Sequence, residues 1–384
     1  MRTILVRRLD APVATLALAG AFYLGLCGLR LARVDWDASY FVVAGSQLTI
    51  AEELPPGIRV RHPVGYDGQF YYRLALDPFT SLASDHGIRL DNPPYRQQRL
   101  LYPFLVWLAS GFGQPRVALW MMIGVNVVAL LAIGWLAGRW AQSFGRHALA
   151  GLAMALYPGF LLSLSRDTTE IVEAAFLLSG FLLIRRGRPY AATAGLALAV
   201  LARETAFFAV LGLGVAWLVD RSRVVRWHNV AIPLLVGASL QLALWANWGG
   251  LPAIQNQQAF SRPFEALETF FSSTRSALGD ELGRTWLAEG GFLIALYFAV
   301  AYALWRSRAA PHEKAACTVY LGLATVLSTD FWREDWGFLR AHTELFLLGS
   351  ILLLACTPKI HRPVFAASIG LSLLLAENLV RTLR

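Results

Sequence analysis

The stretch Tyr190-AATAGLALAVLA-Arg203-Glu204-Thr205-AFFAVLGLGVAWL-Val219 decides how this chain folds. It holds two apolar runs, each shorter than the roughly 20 residues that a membrane-crossing helix needs, with a charged pair between them. Taken as one long helix, it buries Arg203 and Glu204 at its middle and places Arg221, Arg223 and Arg226 on the outer side of a membrane. Taken as a hairpin, it puts Arg203 and Glu204 at an outer tip and returns the three arginines to the inside. The positive-inside rule favours the hairpin, because it makes every inside turn basic. Those turns hold Arg139/Arg146, Arg185/Arg186/Arg188, Arg221/Arg223/Arg226, Arg306/Arg308/Lys314 and Lys359/Arg362.

Working outward, apolar runs recur along the whole chain, 56% of which is hydrophobic and only 15% charged. A soluble domain carries about a quarter charged residues, so the composition excludes one and indicates an all-α, polytopic transmembrane protein. Eleven candidate spans begin near Pro12, Val117, His147, Thr168, Tyr190, Thr205, Asn229, Gly291, Lys314, Thr343 and Pro363. The first follows Arg2, Arg7 and Arg8 but has no small-residue cleavage site, so it reads as a retained helix. The net charge of +9 is dispersed between apolar runs rather than gathered in one patch, which argues against nucleic acid. Cys27, Cys317 and Cys356 lie in apolar segments without metal-ligand spacing, so neither a disulfide framework nor a metal is indicated. The predominance of Arg over Lys points to a bacterial chain.

Residues 1–384 read as one membrane domain with three outer loops, 34–99, 248–290 and 329–342. In the first, Ser39-Tyr-Phe-Val-Val-Ala-Gly45 has the alternation of a short extended piece, and Tyr66 to Phe79 has the spacing of a helix lying at the membrane surface. Arg99 to Gly111 is apolar but half a membrane long, as suits an interfacial or re-entrant helix. Away from the basic turns, ionisable residues collect on this outer face: Asp35, Asp37, Asp67, Asp77, Arg96, Arg99, Arg166, Asp167, Glu170, Glu173, Arg203, Glu204, Arg333, Glu334, Asp335, Arg340, His342 and Glu344. Charges within a turn of an apolar run are costly unless paired or functional, so their shared face marks a candidate site. Solvated loop charges are the plain alternative for any one of them.

The sharpest segment is Asp67-Gly68-Gln69-Phe70-Tyr71. Asp-Gly alone is more often a turn or a helix cap than a catalytic pair. Placed at the head of an aromatic-rich helix in the first outer loop, it resembles the GT-C class of membrane glycosyltransferases, whose first outer loop carries a catalytic Asp, in several branches as Asp-Gly-x-aromatic-Tyr. Arg96-Gln-Gln-Arg99-Leu-Leu-Tyr102-Pro103 and Leu198-Ala-Val-Leu-Ala-Arg203-Glu204-Thr205 are similar to two further pieces of that class. Within it the chain is most similar to a group of uncharacterised bacterial membrane proteins linked to cell-surface glycopolymer formation. The likeness covers about Asp37 to Thr205.

The resemblance implies a polyprenyl-phosphate-linked sugar as donor, a glycan, lipid or protein as acceptor, and a bacterial inner (plasma) membrane location with the site facing the periplasm or cell exterior. No cofactor is implied, and a divalent metal is not indicated. An inverting transfer needs one general base, for which Asp67 is the candidate, with Asp37 and Asp35 behind it. A departing lipid phosphate needs fixed donors, and guanidinium grips phosphate in a bidentate way, which singles out Arg96, Arg99, Arg166, Arg203, Arg333 and Arg340. Gln69, Tyr71, Asp167, Glu170 and His342 are candidates for acceptor and sugar contacts. Glu173 and the Arg203–Glu204 pair read as structural. The aromatics Phe331, Trp332, Trp336 and Phe338 read first as interfacial residues and second as sugar-stacking faces. Two other functions stay open: a flippase or transporter for lipid-linked saccharides, and an O-antigen-type polymerase or ligase using Arg340 and His342 of the late loop.

Overall fold

Proline sets several of the helix starts in this chain. Its fixed φ suits the first helical turn, and its missing N–H is not needed there. Helices open on Pro12, Pro93, Pro115, Pro158, Pro189 and Pro311. The computed structural model describes residues 10–219, 224–255, 259–276, 281–333, 337–357 and 359–382. In order, its helices are α1 (Pro12–Arg33), α2 (Ser39–Val42), α3 (Asp67–Leu76), α4 (Pro93–Gln97), α5 (Leu101–Ala109), α6 (Pro115–Ser143), α7 (Leu152–Ala155), α8 (Pro158–Ser165), α9 (Glu170–Arg185), α10 (Pro189–Ala202), α11 (Ala206–Val219), α12 (Trp227–Trp248), α13 (Pro252–Gln255), α14 (Glu265–Ser276), α15 (Glu281–Arg306), α16 (Pro311–Val326), α17 (Thr329–Arg333), α18 (Phe338–Ala341), α19 (Thr343–Leu354) and α20 (His361–Arg381). The described strands are short pieces of the first outer loop, Ala44–Gly45 paired in parallel with Val60–His62 and Ser84–Asp85 paired antiparallel with Ile88–Arg89.

The protein is a multi-pass membrane protein of helical architecture. Helices occupy all eleven positions where spans are expected, but they are not equal. Among the described residues five can cross a membrane by length and composition: α1, α6, α12, Gly283–Arg306 within α15, and α20. A sixth is gained if Ala148–Ala155 and Pro158–Ser165, bent by 46°, form one broken span. The others, α9, α10, α11, α16 and α19, have 12 to 16 residues. At 1.5 Å per residue they are about 18 to 24 Å long, short of the roughly 30 Å hydrocarbon core. Packing explains how such lengths are tolerated, since every residue of α19 is buried inside the bundle.

Contacts between helices settle the direction of the deciding stretch. Asn229, at the start of α12, donates to the Pro189 carbonyl at 2.7 Å and to Thr193 Oγ1 at 2.8 Å, so the starts of α12 and α10 lie side by side. Farther along, Gly237 packs against Val200 and Phe207, while Gly214 faces Val230. Helix α12 therefore runs parallel to α10 and antiparallel to α11. The chain folds back at Arg203, whose extended backbone (φ −156°, ψ 134°) ends α10.

The same logic groups the turns at two ends of the bundle. At one end Arg185 Nη1 pairs with Glu313 Oε1 at 2.7 Å, Arg146 donates to the carbonyls of Leu354 and Cys356, and the Arg308 N–H donates to the Ala355 carbonyl. At the other end Arg99 pairs with Glu204, Arg203 with Glu344, and Arg340 with Glu170. The turns at Arg146, Arg185 and Arg308 thus share one end, and the Arg99–Glu204, Arg203–Glu344 and Arg340–Glu170 pairs share the other; Arg221 and Arg223 lie outside the described residues.

One expectation for the first loop is corrected. Ser39–Val42 is a helical turn rather than an extended piece, because the Asp37 carboxylate accepts from the Ser39 N–H (3.0 Å) and hydroxyl (2.6 Å) and so supports a turn in place of a ladder. Helix α3 is covered by the rest of its loop. Residues Gly68 to Leu76 are all buried, with Phe70 and Leu74 packed under Leu90 and Leu48 of the covering loop.

Reporter fusions test the two-ended arrangement. Fusions at Gly187 and at Ser307 are expected to report the same side, and a fusion at Glu204 the opposite one. A shared side for Gly187 and Glu204 would contradict the hairpin.

Candidate functional site

Asp67 is the first residue of α3, where a carboxylate sits well against the positive end of the helix dipole. The next residue must be glycine. A Cβ on Gly68 would lie 2.4 Å from the Arg166 carbonyl oxygen and 2.8 Å from that of Val42, so the turn before α9 and the end of α2 close directly over it. Gln69 then fastens the loop in front: its Oε1 accepts from the Gly45 N–H at 3.0 Å, and its Nε2 donates to the Val64 carbonyl at 3.3 Å.

Around Asp67 four guanidiniums form a continuous network. Arg96 Nη1 donates to Asp67 Oδ1 at 2.8 Å, Arg340 Nη2 lies 3.4 Å from Oδ2, and Arg99 Nη1 lies 4.0 Å away. Arg340 also donates to Glu170 Oε1 at 2.7 Å and to the Tyr66 hydroxyl at 2.6 Å. Arg203 donates to Glu344 at 3.0 Å and stands 3.7 Å from Glu170. Arg99 grips Glu204 through Nε (2.8 Å) and Nη2 (2.6 Å), and donates to the hydroxyls of Tyr71 and Tyr95. Burial raises the proton affinity of Asp67, but Arg96, Arg340 and Arg99 outweigh it and hold the carboxyl below its ordinary range. Glu204 is held low in the same way, with burial opposed by Arg99.

These residues enclose a cavity of about 360 Å³. Its wall carries Asp67, Gln69, Arg96, Arg99, Glu170, Arg203 and Arg340, each of which is a site candidate from the sequence, together with Phe331, Leu48 and Val64 on the apolar side. Tyr71 sits behind the wall and reaches it through Arg99. Arg166 stacks its guanidinium 5.8 Å from the Tyr66 ring centre at the edge of the cluster.

Other candidates are placed elsewhere. Asp35 is exposed, and Asp37 is held by Ser39, Arg61 (2.6 Å) and Arg59 (3.3 Å), so neither backup base faces the cavity. Asp167 is fully buried in a left-handed turn (φ 47°), and burial raises its proton affinity against the opposing influence of Asn126, Arg30 and Tyr102. His342 is also fully buried, between the Tyr297 hydroxyl and the Phe338 carbonyl. Burial pulls its pKa down to about 4, so it is a neutral packing residue rather than a cavity contact. Arg333 closes α17, but its side chain, like Glu334, Asp335 and Trp336, lies outside the described residues. Trp332 and Phe338 stack on each other with ring centres 5.5 Å apart and are buried, so they pack internally; Phe331 alone of the described aromatics there lines the cavity.

Arg203 and Glu204 are not the structural pair expected at the hairpin tip, since each finds a partner on another segment. Tyr66, Asp91 and Tyr95 line the cavity without having been singled out by sequence. For Asp91 a signal existed: Asp91-Asn92-Pro93-Pro94 is a helix-start pattern placing a carboxylate just ahead of Arg96. Among the described residues no three His, Cys, Asp or Glu side chains gather as metal ligands.

No family model matches the chain, and no curated protein sequence does. Among solved structures it is similar to the crystal structure of ArnT from Cupriavidus metallidurans bound to undecaprenyl phosphate, with a TM-score of 0.47 and 16% identity. The match covers 90% of this chain and 62% of that one, so the chain spans less than two thirds of the length of ArnT.

The closed approach at Gly68 yields a clean test. Gly68→Ala is expected to destabilise the protein by about 1–3 kcal/mol, as overpacking does, and to lower its melting temperature in detergent. Gly124→Ala, whose added Cβ would meet nothing within 4 Å, is the control and is expected to bring no such loss.

Proposed function

We propose that the chain is a membrane glycosyltransferase of the GT-C type, which moves a sugar from a polyprenyl-phosphate donor to a hydroxyl of a glycan, lipid or protein acceptor. The observation that carries this reading is one cavity in which the carboxylate of Asp67 (side chain 23% exposed) stands among four guanidiniums, at the end of the bundle opposite the basic turns. With the basic turns in the cytoplasm, the cavity faces the periplasm or exterior of a bacterial inner membrane.

The chemistry follows from the residue types. The acceptor hydroxyl gives its proton to Asp67 as its oxygen attacks the anomeric carbon, and the bond from that carbon to the phosphate oxygen breaks with its electron pair going to the phosphate. Negative charge therefore grows on the leaving group. Arg96, Arg99, Arg203 and Arg340 are positioned as fixed donors for it, and such preorganised charge is worth most where water is scarce. One carboxylate per site is the requirement of an inverting transfer, whereas a glycosidase needs two facing each other across the bond.

The lipid part of the donor has a place as well. An apolar groove of about 670 Å³ lies between α5, α6 and α9, lined by Leu105, Val125, Val128, Trp135, Val172 and Phe176. It begins two residues beyond Glu170, and the exposed Val128 and Trp135 open it toward lipid. A chain lying there leaves hydrocarbon rather than water, so the groove supplies location more than affinity. The polymerase or ligase alternative loses its histidine, because both ring nitrogens of His342 are engaged in the interior.

Asp67→Asn is expected to lower transfer by about 10²- to 10⁴-fold while polyprenyl-phosphate binding persists, since the amide keeps the shape but accepts no proton. Arg340→Ala is expected to weaken donor binding instead. The Asp67 carboxyl is held low, so the carboxylate is present at neutral pH, and activity is expected to be lost only as pH falls below the ordinary carboxylate range of about 4. Wild-type turnover by the Asn variant would remove Asp67 from the mechanism.

A further inference from the structure

A base surrounded by cations is ionised but weak, and the cluster contains a device that bears on this. Arg96 is shared between two carboxylates. Its Nη1 donates to Asp67 Oδ1 at 2.8 Å, while its other edge, Nε and Nη2, donates to Asp91 Oδ1 and Oδ2 at 2.8 and 2.7 Å. The guanidinium lies over the Phe70 ring, 4.2 Å from its centre, which fixes its plane. Asp91 holds the bidentate edge and Asp67 a single bond. A fork-on-fork pair of this kind is the stronger hydrogen-bonded contact, and the negative charge of Asp91 offsets part of the cation's field at Asp67.

We propose that Asp91 is a positioning residue that sets the proton affinity of Asp67 by taking up part of the charge of Arg96. It rests on the reading of Asp67 as the general base, but the electrostatic link stands on geometry that is independent of the substrate. The groups facing Asp67 are Arg96 on α4, Arg99 just beyond it, Arg340 on α18, Glu170 at the start of α9, and Tyr71 on its own helix. Of the three guanidiniums near Asp67, Arg99 is bound bidentately by Glu204 and Arg340 through one hydrogen bond by Glu170. Each cation that touches the base is thus anchored by a second carboxylate behind it. Asp91 plays that part for Arg96, the closest of the three, and its side chain, 39% exposed, stands at the cavity rim. During transfer the acceptor proton passes to Asp67, and a base whose cations are partly neutralised takes it more readily. Asp91 touches no reacting atom in this scheme.

The sign of the effect separates this role from a merely structural one. If Asp91 draws charge away, Asp91→Asn leaves Arg96 bearing wholly on Asp67, and the carboxyl becomes harder to protonate. If Asp91 only holds Arg96 in place, its loss lets Arg96 drift from Asp67, and the carboxyl becomes easier to protonate. Carbodiimide with glycine ethyl ester modifies protonated carboxyls, so the rate of modification at Asp67, read by peptide mass spectrometry at one fixed pH, reports the protonated fraction.

Asp91→Asn is expected to slow modification of Asp67 about threefold to tenfold, Asp91→Glu to restore it, and Arg96→Gln to speed it at least about tenfold, the scale of one opposite charge nearby. Transfer by Asp91→Asn is expected to fall with a shifted acid limb, and Asp91→Glu to recover it. Unchanged or faster modification in Asp91→Asn overturns the proposal. If the Asn variant does not fold, Asp91→Glu against Arg96→Gln decides: an equal rise in both overturns it, and a rise in Arg96→Gln alone supports it. Absence of transfer from polyprenyl-phosphate sugar by the wild-type protein, with the modification rates as expected, would count against the glycosyltransferase reading and leave the Asp91–Arg96 link standing.

Discussion

The pair of Arg340 and Glu170, both nearly inaccessible to solvent and 2.7 Å apart, is the contact on which the outer end of this protein depends. Removing one partner of such a pair leaves an uncompensated buried charge, at a cost of about 3–5 kcal/mol. The pair is also the junction of two chains of charge, through Asp67 to Arg96 and through Glu170 to Arg203 and Glu344. Helix ends explain why the carboxylates collect here. Asp67 is the first residue of α3, Glu170 the first of α9 and Glu344 the second of α19, so three helix N-termini present acidic residues to one place. Arg203 follows the C-terminus of α10, where a cation is favoured in turn.

Helix length then sets the depth of the site. The basic turn after α9 and the acidic start of that helix are separated by about 24 Å, less than the thickness of a hydrocarbon core. With the basic turns at one membrane face, the floor of the cavity lies below the level of the opposite face. In the proposed transfer, a donor phosphate at headgroup height and a sugar beneath it would meet the guanidiniums there, with the lipid tail in the groove beginning at Val172. Short buried helices, which make poor spans when taken singly, thus build a recess.

Much of this was legible before any coordinates. The hairpin at Arg203 followed from the charge of the turns, a signal that repeats five times and is insensitive to boundary errors. Asp67, Arg96 and Arg99 could be found because the motif and its surroundings lie within one loop. Partners far apart in sequence could not: Glu204 was set beside Arg203, although its bidentate partner is Arg99, and Arg203 turns to Glu344 instead. His342 and Asp167 were misplaced for a related reason. A polar residue beside an apolar run has the same pattern whether it faces a cavity or the interior, and only packing separates the two. Residues 39 to 42 misled through alternation, which the Asp37 side chain overrides by capping a turn.

The reaction itself is the central claim, and the donor is its most exposed part. Purified protein in lipid nanodiscs, given a hydroxyl acceptor and either a polyprenyl-phosphate-linked sugar or the matching nucleotide sugar, tests it directly by following labelled sugar into product. Transfer from the lipid-linked donor, with none from the nucleotide sugar, is the expected result. Efficient transfer from the nucleotide sugar alone would contradict the assignment.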